Sequence, residues 1–290
     1  MKQKIVVFGA TGMVGSNVFD SLRRKRYIVE GVSKSGRDET IQLDITNQGD
    51  LVRFLNLFKP HVIVNCAGLV GTSECNKDPF SAIKLNVDFV RDIAQYCSEK
   101  KSRLVHLSTV AVFDGKKQSS YTEGDEPSQL AGNWYNLTKS LAEHIARLVP
   151  DSMIVRIGDT YGFSVSEKKV IGGSVFSFAY QQLRDGKQLG AFVDVRTNQT
   201  FLEDIGWNIS RLIEIGYSGK INLGGEEIGI GDFFRKIKSS FGLSGTVVDR
   251  ATPESYQINR TLDLTAMKKE GLRVRTIDEG LNSLLDDLKI

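Results

Sequence analysis

Tyr135 and Lys139 stand four residues apart in the stretch Trp134-Tyr135-Asn136-Leu137-Thr138-Lys139. On a helix that spacing puts both on one face. A phenol with a pKa of about 10 can give its proton to a developing alkoxide when a nearby ammonium steadies the resulting anion. The reaction that wants this pair is hydride transfer to a carbonyl, in which carbon receives the hydride and oxygen needs a proton. A second donor should polarise the same oxygen. Ser108 and Thr109, just past the end of a predicted strand, are the candidates. With about 100° per residue and Tyr135 at zero, Lys139 falls near 40°. Leu137, Leu141, Ile145 and Leu148 fall between roughly 200° and 280°. This apolar stripe, the expected buried face, is nearly opposite the pair and leaves Tyr135 free to face a cleft. Taken alone, Lys139 reads as a solvated helix lysine and Tyr135 as a packing residue, so the surrounding elements must decide.

The strongest surrounding element is the turn Gly9-Ala10-Thr11-Gly12-Met13-Val14-Gly15. It follows the apolar run Ile5–Phe8 and opens a helix-like segment. Gly9 suits the tight turn, Gly12 the close approach of backbone to a pyrophosphate, and Gly15 the packing of helix on sheet. The free N–H groups of the helix start then receive the anion. Thr11, Met13 and Val14 share the turn. A dinucleotide site is expected. After the second strand comes Ser33-Lys34-Ser35-Gly36-Arg37. Hydroxyls with Lys34 and Arg37 suit a ribose 2′-phosphate, so NADP is expected ahead of NAD. Glu30, the alternative acid for a ribose hydroxyl, lies within the strand. Asp44, with Ile45 beside it, either accepts from the adenine amine or simply begins the next turn.

Strands are predicted at 5–8, 27–32, 62–65, 104–107 and 153–157, and helices at 14–24, 51–57, 80–97 and 134–149. That rhythm predicts an α/β fold, a Rossmann-type doubly wound parallel sheet with a smaller C-terminal substrate-binding domain. Residues 1–155 form the dinucleotide-binding domain, completed by 193–220. Residues 156–192 and 221–290 form the smaller region, with helical patterns at 170–183, 205–215 and 230–239 and a short strand at 221–223.

The bulk numbers bound the function. The 290 residues are 40% hydrophobic and 25% charged, enough for a sizeable core. The net charge of +3 and the lack of a basic run argue against a nucleic-acid partner. No apolar run reaches membrane length, so no membrane partner and a cytoplasmic location are expected. The three cysteines, Cys66, Cys75 and Cys97, suggest neither a disulfide framework nor a metal site. No metal is expected in the chemistry, because phenol and hydroxyl already do what a Lewis acid would do.

Taken together, these residues resemble the extended short-chain dehydrogenase/reductase superfamily, and within it the dTDP-4-dehydrorhamnose reductase family. The resemblance spans nearly the whole chain. Besides the glycine turn, it rests on "VNCAG" (64–68), Asn86 in "KLNV", "LSTVAVFDG" (107–115) and "YTEGDEP" (121–127). It continues through "YNLTK" (135–139), "VRIGDTYG" (155–162), "QTFLEDIG" (199–206) and "INRTLDLTAMKKEGLRV" (258–274). It implies NAD(P)H-dependent reduction of a 4-keto-6-deoxy sugar on a nucleoside diphosphate. Thr109, Tyr135 and Lys139 take the catalytic roles. Tyr135 and Lys139 also contact the cofactor, Cys66, Ala67 and Gly68 line its site, and Arg260 serves the nucleotide or its phosphates. Val110 and Ala111 replace an acid and an aromatic residue of the family where substrate contacts are expected. Gln199 replaces a proline. The implied partner is a nucleotide-sugar substrate, and a homodimer is one compatible assembly. A nucleotide-sugar epimerase, or a non-catalytic NAD(P)-binding regulatory subunit, are the alternatives. His106, inside a strand, is expected to pack in or near the core.

Overall fold

The computed structural model describes residues 2–128, 132–163, 174–253 and 256–288. The β-branched run at the N-terminus forms β1 (Lys4–Phe8), in which Ile5 to Phe8 are fully buried. Burial on both faces is what a central strand of a parallel sheet requires. After it come α1 (Met13–Arg23), β2 (Ile28–Ser33), a two-residue edge strand β3 (Ile41–Gln42), α2 (Gln48–Phe58) and β4 (Val62–Asn65). The expected helix over 80–97 is divided. Short helices α3 (Thr72–Lys77) and α4 (Pro79–Ile83) lead through one π-helical turn, Lys84–Asp88, into α5 (Phe89–Lys100). Then follow β5 (Arg103–Thr109), α6 (Trp134–Ala146) and β6 (Met153–Ile157).

The second half contributes β7 (Asp159–Tyr161), α7 (Val175–Arg184), β8 (Gln188–Phe192), β9 (Arg196–Phe201), α8 (Leu202–Glu214) and β10 (Gly219–Leu223). It ends with β11 (Glu227–Gly229), α9 (Ile230–Phe241), β12 (Thr246–Arg250), β13 (Asn259–Arg260), α10 (Thr265–Lys269) and α11 (Ile277–Leu288). The expected start of α7 at 170–173 lies outside the described residues.

Seven strands pair in the order β10-β6-β5-β4-β1-β2-β3, all parallel. The chain runs outward from β1 to β3, then returns to place β4 on the other side of β1. Beyond the carboxyl ends of β1 and β4 this reversal opens a crevice, where ligands of such sheets bind. On one face Val18 and Leu22 of α1 pack with Ile205, Ile209 and Leu212 of α8 over the sheet. On the other, Leu51, Leu55, Phe89, Ile93, Ala142 and Ala146 do so. A Cβ on Gly206 would stand 2.3 Å from the Asn17 carbonyl oxygen, so only glycine lets α8 approach α1 this closely.

The smaller region has its own core of Tyr161, Phe176, Phe233, Ile237 and Leu281. Its sheet centres on β9, which pairs with β11, β13 and β7, while β8 and β12 pair separately. The segments that return to the main sheet are α8 and β10, spanning Leu202–Leu223. Residues 196–201, expected there too, form β9 of the small sheet instead.

Candidate active site

A cleft of about 1900 Å³ runs along the carboxyl ends of β1, β2, β4 and β5 and under β13. Drug-sized pockets span roughly 300–1,000 Å³, so this one has room for a dinucleotide and a second molecule.

One end is built by the glycine turn. Gly9 has φ +76°, a conformation that favours glycine. A Cβ on Gly15 would lie 2.1 Å from the Gly9 carbonyl oxygen, so the helix can start against the turn only without a side chain there. Gly12 caps α1 with no side-chain hydrogen bond, which leaves the first-turn amides open to an anion. Gly9, Thr11, Gly12, Met13, Val14 and Gly15 all line the cleft, as do Ser33, Lys34, Asp44, Ile45, Cys66, Ala67 and Gly68.

Two details differ from expectation. Arg37 is exposed and not part of the cleft lining, and its Nε donates to Ser35 Oγ. Ser33 Oγ is engaged within its own turn, accepting from Gly36 N at 2.9 Å and bonding Thr40 Oγ1 at 2.7 Å. Lys34 is therefore the exposed cation of this stretch that faces the cleft. Asp44 Oδ1 accepts from Thr46 Oγ1 at 2.7 Å and Thr46 N at 2.9 Å, and the Thr46 hydroxyl is the main reason its carboxyl titrates low.

The other end holds the catalytic candidates. Asn133 starts α6 by accepting from Asn136 N at 2.9 Å, so Tyr135 falls in the first turn. The face that α6 buries is not the leucine stripe: Leu141 is 44% and Leu148 77% exposed. The buried residues are Asn136, Thr138, Ser140, Ala142, Glu143 and Ala146, the side that also carries Tyr135 and Lys139. Polar bonds hold that side down. Thr138 Oγ1 accepts from Asn86 Nδ2 at 3.0 Å, and Asn86 also grips both backbone groups of Leu69, at 2.8 and 3.0 Å. The π-helical turn that carries Asn86 thus ties α6 to the loop after β4.

Ser108 and Thr109 are the last two residues of β5, rather than just beyond it. Strand alternation separates them. Ser108 borders the cleft but is only 3% exposed, and its hydroxyl is committed to Glu143 Oε2 at 2.8 Å. Thr109 lines the cleft together with Tyr135, and its Oγ1 accepts from Ala111 N at 3.2 Å. Burial pushes the Tyr135 phenol above its ordinary value, opposed first by the nearby Thr109 hydroxyl and then by the Arg260 guanidinium. Lys139 Nζ donates to the Leu107 carbonyl oxygen at 2.6 Å. Burial lowers its pKa to about 8, with the Glu143 carboxylate acting in the opposite direction.

Ala111 lines the cleft, but Val110 is 2% exposed and packs with Val112, Phe113, Tyr121 and Leu262. The turn Val110–Val112 directs these two neighbours to different sides, and Val110 is a core residue rather than a substrate contact. Arg260 does reach the cleft, on β13, bonded through Nη2 to Asp159 Oδ1 at 2.5 Å. Thr197 Oγ1 donates to the other Asp159 oxygen at 2.7 Å. Asp159 was not singled out from the sequence: a lone acid opening the short strand β7 carries no signal until β7 and β13 are both placed on β9. His106, 1% exposed in β5, bonds Asn65 through Nδ1 at 3.2 Å, and burial keeps it neutral. Among the described residues no group of three or more His, Cys, Asp or Glu could hold a metal ion, and no helix is long and apolar enough to cross a membrane.

The family model described as the RmlD substrate binding domain matches residues 3–213. The probable low-salt glycan biosynthesis reductase of Haloferax volcanii is 26% identical, over 96% of this chain and 96% of that protein. The dTDP-4-keto-6-deoxy-D-glucose reductase of Streptomyces niveus is 29% identical, over 87% of this chain and 83% of that protein. The crystal structure of dTDP-4-dehydrorhamnose reductase from Bacillus anthracis in complex with NADP superimposes with a TM-score of 0.85 at 21% identity. It covers 99% of this chain and 100% of that one, a likeness of fold.

Proposed function

This chain belongs to the RmlD substrate binding domain family, and on that premise we propose that it is a reductase using NADPH to reduce a 4-keto-6-deoxy sugar carried on a nucleoside diphosphate. The observation that carries the reading is the joint placement of Thr109, Tyr135 and Lys139 at one end of a cleft whose other end is a glycine cradle. The cradle fits a dinucleotide because Gly9 and Gly15 leave no room for a Cβ and the α1 amides are open. Its pyrophosphate would rest on the turn Gly9–Gly15, and Lys34 at the cleft would meet a 2′-phosphate, which favours NADP over NAD. The bound nicotinamide supplies the hydride.

The chain's own residues do the rest. Thr109 Oγ1 and the Tyr135 hydroxyl together bind the carbonyl oxygen, and Tyr135 gives that oxygen its proton. Lys139, held by Leu107, places a positive charge behind the phenol as it becomes an anion. Arg260, fixed by Asp159, offers its remaining donors to the substrate from the roof of the cleft. Ala111 leaves space beside Thr109. A cytoplasmic enzyme, monomeric or homodimeric, acting on a nucleotide sugar completes the reading. It is tested by mixing the purified protein and NADPH with a panel of nucleoside-diphosphate 4-keto-6-deoxy sugars. Stoichiometric NADPH consumption supports it. Tight NADPH binding with no consumption across the panel contradicts it and favours an epimerase or a regulatory subunit.

A further inference from the structure

The one fully buried ion pair among the described residues lies directly behind the catalytic helix face. Glu143 and Arg156 are both 0% exposed at the side chain, with Arg156 Nη2 2.5 Å and Nε 3.1 Å from Glu143 Oε1. Glu143 Oε2 accepts from Ser108 Oγ at 2.8 Å. The guanidinium also reaches the Thr122 carbonyl oxygen at 3.3 Å and sits 4.9 Å from the centre of the Phe113 ring. A single carboxylate thus joins α6 to β5, to β6 and, through Arg156, to the loop at 121–123. Its β5 partner, Ser108, is the residue before Thr109. On α6 it is one turn past Lys139, as Lys139 is one turn past Tyr135. Retaining a buried pair is expensive, since apolar residues of similar volume are often as stable. A role beyond holding the fold is therefore worth seeking.

We propose that Glu143 is a positioning residue: clamped by Arg156 and Ser108, it pins the helix bearing Tyr135 and Lys139 to the strand bearing Thr109, with its carboxylate one turn past Lys139 on the same helix face. The groups that face Lys139 come from four elements. From β5 there are the Leu107 carbonyl oxygen and His106. From the end of β4 there is Cys66, from α3 Cys75, and from α6 itself Glu143. Cys66 is a neutral thiol, pushed by burial to about 12, Cys75 is raised by burial, and His106 is held neutral. Glu143 is then the anion that supports the buried ammonium. Because the inference rests on the reductase reading for its catalytic meaning, its test uses no substrate.

The test is an NMR titration of lysine labelled at Cε, with the Lys139 signal assigned by its loss in Lys139→Met. The wild-type midpoint is expected near 8. In the double variant Glu143→Gln/Arg156→Met, which removes both buried charges, it is expected to fall by about one unit or more. Glu143→Asp, which keeps the charge, should restore most of the wild-type midpoint. A folded double variant with an unchanged midpoint would overturn the proposal and leave the pair a purely structural staple. Should the double variant not fold, the wild type decides alone. A buried lysine without an anion titrates at about 5–6, so a wild-type midpoint in that range overturns the proposal as well. Failure of the reductase reading would show instead as absence of turnover with the Lys139 titration as described.

Discussion

Lys139 Nζ and the Leu107 carbonyl oxygen meet at 2.6 Å, which fixes the ammonium at the carboxyl end of β5, two residues from Thr109. Lys139 lines the same cleft as Tyr135 and lies one turn past it on α6. With burial bringing Lys139 to about 8 and pushing Tyr135 up, the lysine loses its proton first as pH rises. Activity that needs the ammonium is full below that value and is lost through it. The kcat/KM profile for NADPH-dependent reduction should therefore bend downward near pH 8, since it reports groups of the free enzyme. A flat profile to pH 10 would disconnect Lys139 from the chemistry.

Thr109 and Ser108 are adjacent and both border the cleft, but the Ser108 hydroxyl is committed to Glu143. Thr109→Val should lower kcat by about 10²–10³-fold, the cost of removing one oxyanion donor, with NADPH affinity retained. Steady-state kinetics beside fluorescence titration of NADPH would separate the two effects. An equal loss of cofactor affinity would move Thr109 from chemistry to binding.

Gly15 stands where any Cβ would meet the Gly9 carbonyl oxygen at 2.1 Å. Gly15→Ala must shift either the turn or α1, and the pyrophosphate site lies between them. NADPH affinity should drop at least about tenfold, the effect of roughly 1.4 kcal/mol, read by calorimetry on protein shown to be folded. Unchanged affinity would place the cofactor elsewhere.

Arg260 spends one donor on Asp159 and is 19% exposed at the side chain, in the cleft roof. Arg260→Met should raise the KM for the sugar nucleotide about tenfold or more while kcat changes less. Hydrogen bonds to charged groups contribute about 1.5–3 kcal/mol. A selective loss of kcat would instead place the guanidinium at the reacting carbonyl.

His106 is neutral in the fold, its pKa far below the ordinary value because it is buried and close to Lys139. The unfolded chain binds a proton at about pH 6.5, so this residue's contribution is present above that pH and is lost as pH falls below it. Urea unfolding at pH 7.5 and pH 5 should show a loss at the lower pH that His106→Asn reduces. An identical loss in the variant would assign it to other groups.

The main sheet was legible because Ile5–Phe8 of β1 and Val62–Val64 of β4 are continuous apolar runs and β6 is broken only by Arg156, and the glycine turn because its spacing has a steric cause at each position. The small sheet was not. β9 buries Thr197, Asn198, Gln199 and Thr200, so its strand has no apolar alternation to read. Its polar side chains serve the tertiary fold instead: Asn198 bonds the backbone of Leu262 and Gly225. The same cause misled the reading of α6. A leucine stripe normally marks the buried face, but here Thr138 and Glu143 find partners inside and leave Leu141 and Leu148 outside. The Tyr135–Lys139 pair was found from helical spacing. Asp159 and Glu143 could be found only once their partners, distant in sequence, were in place.

The most direct measurement compares wild type with Tyr135→Phe, mixing each with NADPH and a nucleoside-diphosphate 4-keto-6-deoxy sugar that the wild type reduces, and following loss of the reduced nicotinamide. The account predicts that turnover falls by about 10²–10⁴-fold while NADPH still binds with wild-type affinity. A Tyr135→Phe protein that reduces the sugar as fast as the wild type would contradict it, because the oxygen would then be taking its proton from another group.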